Sequence, residues 1–78
     1  MNRTEKEYNL LPIKKDVDQI IHDLGINMAD WYFGEATEGS DYFSVYFGNE
    51  KAENHSLNVD FLLKNKEWVL ERCEINHD

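Results

Sequence analysis

The hydrophobic periodicity of this chain changes at Gly25. Before it, Ile13, Val17, Ile20, Ile21 and Leu24 recur at helical spacing, with Lys14, Lys15, Asp16, Asp18, Gln19, His22 and Asp23 filling the other positions. That is one apolar stripe of an amphipathic helix. After Gly25 the apolar residues alternate: Phe43, Val45 and Phe47, then Leu57, Val59, Phe61 and Leu63. Alternation is the period of a strand with one buried face. One such switch in 78 residues confines the chain to a helix layer laid on a sheet, an α+β two-layer domain.

The punctuation agrees with this reading. Gly25 suits the position just past a helix, where Ile26 can close back on Ile21. Pro12 suits a first turn and Asn9 a cap, so the spacing predicts a helix over residues 10–24. Thr4 and Glu7 have capping-box spacing, which predicts a short turn or helix upstream. Continuing one helix through Pro12 would cost about 3 kcal/mol, so a break is expected there. Downstream, strands are expected over 29–36, 41–48, 56–63 and 67–75, joined by TEGSD, GNEKAENH and KNKE. Short connections make the sheet an antiparallel meander. Val59, Leu62, Leu63, Lys66, Val69, Leu70 and Cys73 also fit helical spacing, which leaves an α-β-β-α alternative for the last segment. The alternation over 57–63 and the KNKE turn favour strands. Gly34 inside a strand signals a bulge or a close backbone approach. The expected architecture is a single domain, residues 1–78, with one N-terminal helix on a four-stranded antiparallel meander. Phe43, Val45, Phe47, Leu57, Val59 and Phe61 would meet the helix stripe.

Composition narrows the setting. Aromatics make up 13% of the residues, enough to fill a small core and unlike a disordered chain. A domain of this size retains only about 3–5 kcal/mol of net stability. Cys73 is the single cysteine, so no intramolecular disulfide can form and a lone thiol suits a reducing cytoplasm. No apolar run approaches a membrane span, and the N-terminal MNRTEKEYNLL lacks the apolar stretch of a signal peptide. The expected location is cytoplasmic, the host cytoplasm if the protein is viral.

Charge is the lopsided feature. The formal net charge is −8. Residues 16–50 hold eight acids (Asp16, Asp18, Asp23, Asp30, Glu35, Glu38, Asp41 and Glu50) and no lysine or arginine. Direct nucleic-acid binding requires cations that displace phosphate counterions, so no direct nucleic-acid partner is expected. A basic protein or nucleoprotein surface would be attracted instead. Acidity that serves only solubility is the plain alternative.

No chemical motif stands out. The four glycines are dispersed and make no phosphate loop. The serines lack a nucleophile-elbow context. Asp18 and His22 are four apart on the helix, but two ligands do not make a metal site. Cys73 reads as a packing residue. Neither a cofactor, a metal nor a catalytic set is expected, and the chain is not expected to be an enzyme.

One helix covers one face of the sheet and leaves the other open. Its outward set would include Tyr42 and Tyr46, Tyr32, Asp60 and Leu62, and Trp68 or Val69 depending on register. Tyrosine and tryptophan without lysine is an interface composition. The expected partner-binding residues are Asp30, Glu35, Glu38 and Asp41 as an acidic rim, with Tyr32, Tyr42 and Tyr46 as anchors. The chain is similar in size and charge, though in no motif, to small acidic viral anti-defence proteins such as anti-CRISPRs and DNA mimics. That likeness implies an inhibitor that blocks a basic, nucleic-acid-binding surface of another protein. An immunity protein neutralising a nuclease toxin would use the same physics. A homodimeric structural or adaptor protein, joined through the open face or an edge strand, is the alternative from another class.

Overall fold

A computed structural model describes residues 1–77. In chain order the elements are β1 (Asn2–Arg3), α1 (Glu5–Leu10), α2 (Ile13–Asp23), a 3-10 turn (Met28–Asp30), β2 (Trp31–Glu38), β3 (Tyr42–Asn49), β4 (His55–Lys64) and β5 (Glu67–His77). The five strands form one antiparallel sheet in sequence order. Both helices lie on one face of it. None of the described helices is long and apolar enough to cross a membrane.

The α+β meander is as expected, but its details differ. The helix expected over 10–24 starts later, at Ile13, and the short turn or helix expected upstream is a full helix, α1, so the one N-terminal helix becomes two with the break at Pro12. Thr4 and Glu7 form the capping box that starts α1. Leu11, just before Pro12, is extended, as the proline ring demands of its predecessor. Asn9 therefore lies inside α1 and caps nothing, and α2 follows Pro12 directly. The C-terminus of α2 closes as predicted. The Gly25 and Ile26 N–H groups donate to the His22 and Ile21 carbonyls at 3.0 and 3.2 Å, with Gly25 at φ +73°.

The expected four strands are five, because residues 2–3 pair with residues 36–37 at the end of β2. The Glu38 N–H donates to the Met1 carbonyl at 2.8 Å. A two-residue strand is too short to carry a period, so no alternation could announce it. The helical alternative for the last segment is excluded: β4 and β5 pair along their whole lengths. Their turn places Asn65 at φ 51° and Lys66 at φ 66°, the pair of left-handed residues that a tight two-residue hairpin requires.

The core is the helix stripe against the sheet. Ile13, Val17 and Ile21 from α2 meet Phe43, Val45, Phe47, Leu57, Val59 and Phe61, all buried. Leu24, expected in the stripe, is exposed at the helix end. Tyr8 of α1 supplies the aromatic centre. Its ring lies 5.6 Å from Phe33, 6.3 Å from Phe43 and 6.4 Å from Phe47. Its hydroxyl is buried with no hydrogen-bond partner among the described atoms. Burial, and secondarily the charge of Asp18, push the Tyr8 phenol well above its ordinary pKa, so it stays protonated at any physiological pH. Trp68 turns inward and meets Phe43 edge-on at 6.1 Å, which leaves Val69 outward opposite Leu62.

Candidate partner-binding face

The uncovered face of the sheet is built by alternation. Opposite Phe43, Val45 and Phe47 on β3 stand Tyr42, Ser44, Tyr46 and Gly48; opposite Leu57, Val59 and Phe61 on β4 stand Ser56, Asn58, Asp60 and Leu62. β2 carries a bulge between Phe33 and Glu35, so Gly34 is the extra residue. The bulge keeps both halves of β2 in phase with the core: Phe33 faces Phe47, and Ala36 faces Val45. It also places Tyr32 and Glu35 together on the open face.

Each open-face tyrosine ring lies against a glycine. A Cβ built on Gly34 would stand 2.4 Å from Tyr46 Cε2. One on Gly48 would stand 2.5 Å from Tyr32 Cζ, and one on Gly39 would fall within contact of the Tyr42 ring. None of the three has a left-handed φ, so close approach of the ring explains glycine here, and backbone freedom does not. The aromatic ring covers the strip of backbone that the missing side chain leaves bare, as in other glycine-containing sheets. The result is a row: Tyr32 at one end of the β2–β3 pair, Tyr46 in the middle and Tyr42 at the other end. At about 3.4 Å per residue the row is roughly 20 Å long. The rings are half-exposed, at 51% for Tyr32 and 41% for both Tyr42 and Tyr46, yet held by their glycines.

The charged groups of this face lie beside the row. Glu35 is directly opposite Tyr46. On the next strands Arg72 lies opposite Asp60 and binds it twice, Nε to Oδ2 at 2.8 Å and NH2 to Oδ2 at 2.7 Å, while NH1 reaches Glu74 Oε1 at 3.1 Å. The hydrogen bond to Asp60, reinforced by its charge, raises the Arg72 pKa further. One guanidinium therefore serves two carboxylates, and Glu35 adds a third acid to the same face.

The seven residues expected at the interface divide. Tyr32, Tyr42, Tyr46 and Glu35 share the open face. Asp41 lies in the turn just before Tyr42, where its carbonyl accepts the Leu63 N–H at 2.8 Å. Glu38 lies on the helix side, where Arg3 binds its Oε1 through Nε at 3.0 Å and NH2 at 2.7 Å. Asp30 sits in the turn ahead of β2, 3.3 Å from Lys51 Nζ. Glu38 and Asp30 are thus each tied to a cation and do not join the row. Of the other acids in the lysine-free stretch, Asp18 pairs with Lys14 at 2.6 Å on α2, and Asp16 and Asp23 lie on the same helix. The eight carboxylates are contiguous in sequence but spread over several sides of the molecule. Sequence reasoning missed the glycine seats at positions 39 and 48 and the Arg72 bridge. A tyrosine and a glycine in facing strands is the signal that finds such seats, but it becomes readable only once register is known.

On the helix side, a depression of about 410 Å³ between α1, α2 and the start of β2 is lined by Tyr8, Lys14, Asp18, Trp31 and Phe33 among others. Its lysine and aspartate are already paired with each other. Cys73 is half-buried against the core, and burial pushes its thiol pKa up, the opposite of what a nucleophile needs. No three His, Cys, Asp or Glu side chains converge among the described residues. Comparison with family models, with curated proteins and with solved structures finds no match to this chain.

Proposed function

We propose that this chain is a non-catalytic protein-binding module that docks the open face of its sheet on a basic surface of another protein. A surface that ordinarily holds nucleic acid is the kind of site it would block. The observation that carries this reading is the row of Tyr32, Tyr46 and Tyr42, fixed over glycines on the one sheet face that the helices leave bare. Amphipathic rings that are already ordered lose little freedom on binding, and they bury a large area each. Glu35, Asp60, Glu74 and the nearby Asp41 give the row acidic surroundings, partly offset by Arg72. Such carboxylates favour a cationic partner and disfavour an anionic one.

The test is competition. A basic protein retained by the immobilised chain should release its nucleic acid when the free chain is added. Tyr46→Ala together with Tyr32→Ala should abolish that release in a variant that still melts cooperatively. Glu35→Lys should weaken it, and raised salt should slow association. Retention and release that survive the double tyrosine variant unchanged refute the reading.

A further inference from the structure

The sheet ends differently on its two sides. At one side β1 is only two residues long. At the other, β5 runs for eleven residues, and among the described residues no strand pairs with its outer edge. Open edges are ordinarily blunted by shortness, charge, proline or a bulge; β5 is long and holds neither lysine nor proline, and its charges and its bulge at Glu71 bar a random partner strand while leaving one self-complementary register open. Its core-side residues also run past the helix layer. Leu70 and Ile75 remain 43% and 40% exposed, although the residues they face on β4, Phe61 and Leu57, are buried.

We propose that β5 is a homodimerisation edge, pairing antiparallel with β5 of a second copy about a two-fold axis at Cys73. The strand is self-complementary in that register. Arg72 falls opposite Glu74 of the second copy, and Glu74 opposite its Arg72. Both residues lie on the open face, since they face Asp60 and Asn58 of β4. Glu71 is already the extra residue against β4, where the register shifts between Asp60 and Phe61. Letting Glu71 be the extra residue in the new ladder as well brings Ile75 opposite Leu70 of the second copy, both on the core side. The two exposed pairs then cover one another beside Cys73. No other feature of the edge needs to move, and side-chain faces stay matched on both sides of the bulge, as a shared buried face requires. The product is a continuous ten-stranded sheet. Each copy keeps its tyrosine row uncovered, so the test below does not depend on partner binding.

Opposite charges directly across a ladder attract and like charges repel, which gives a paired experiment. Arg72→Glu places Glu opposite Glu74 at both symmetry-related positions; Glu74→Arg places Arg opposite Arg72 at both. Mixed together, the two variants are complementary again. Sedimentation equilibrium over a concentration series should show wild-type dimer, each variant alone weaker by roughly tenfold or more, and an equimolar mixture restored towards wild type. Circular dichroism of each variant checks the fold, and rescue on mixing excludes misfolding as the cause of the loss. A wild-type chain that stays monomeric at every concentration overturns the proposal. So do single variants that dimerise as tightly as wild type, or a mixture no tighter than its components.

Discussion

Replacing Gly34 by alanine should change stability in opposite directions depending on whether Tyr46 is present. Alanine in a strand is worth about 0.5–1 kcal/mol over glycine when nothing obstructs it, and the φ of Gly34 is open to an L-residue. In the wild type the new Cβ would stand 2.4 Å from Cε2 and 2.8 Å from Cδ2 and Cζ of Tyr46, so the ring must swing off the backbone. Uncovering one ring face and the strip beneath it exposes some 50 Å², worth about 1–1.5 kcal/mol at 25 cal/mol per Å². Gly34→Ala should therefore destabilise the wild type by up to about 1 kcal/mol and stabilise a Tyr46→Ala background by about 0.5–1 kcal/mol. The coupling energy is then about 1–1.5 kcal/mol. Urea unfolding followed by the fluorescence of Trp31 and Trp68 measures all four corners of the cycle. An alanine with the same effect in both backgrounds would show that the ring does not rest on the glycine, and the ordered tyrosine row would lose its physical basis.

Tyr8→Phe should raise stability by about 1 kcal/mol, because it removes a buried hydroxyl with no partner, and the midpoint of thermal unfolding should rise by several degrees; a clear fall would mean that the hydroxyl is satisfied. Lys66→Gly should stabilise by up to about 1 kcal/mol, since Lys66 holds φ 66° in the β4–β5 turn and glycine adopts that conformation freely; equilibrium unfolding checks it. The Glu7 carboxyl is held below its ordinary value by the Thr4 N–H first and the Thr4 hydroxyl second. Its contribution to α1 is therefore present above the unfolded-state pKa and is lost as pH falls through the lower folded-state value. Glu7→Gln should flatten that part of the acid titration, read as stability against pH. Glu35→Lys should slow association with a basic partner at physiological salt, whereas Asp16→Lys on the far side of the molecule should barely change it; stopped-flow rates separate the two.

The elements with a strong period were legible in the sequence. The α2 stripe, the β3–β4 alternation and the Gly25 closure are local, and each is encoded by residues a few positions apart. The signals for a second helix, the Thr4–Glu7 box and Pro12, were also present, but residues 5–10 carry a single buried side chain, Tyr8, and so show no stripe. β1 had no signal, because two residues are held by pairing to a strand more than thirty positions away. The same distance hid the Arg3–Glu38 bond. The tyrosines could be placed on the open face by parity alone, but their seats could not. Tyr32 finds Gly48 across one register, and Tyr46 finds Gly34 only because the β2 bulge shifts the other.

Charge behaves differently from periodicity under folding, and this determines how far the acidic composition bears on binding. A run of residues without lysine or arginine looks like one patch only if the chain between them does not turn over. Residues 16–50 cover most of α2, the 3-10 turn, β2 and β3, and successive strand residues point to opposite faces, so Glu35 and Glu38 part company within one strand. At physiological salt the field of a surface charge fades over about 8 Å, while the molecule measures 38 × 24 × 23 Å. A partner approaching the open face feels Glu35, Asp60, Arg72, Glu74 and the turn acids, and little of α2. On the reading proposed above, the net charge of −8 would disfavour nucleic acid at the molecule as a whole, and the acids around the tyrosine row would set how a basic surface is oriented against it. The tyrosines, seated against their glycines before a partner arrives, would then set how long it stays.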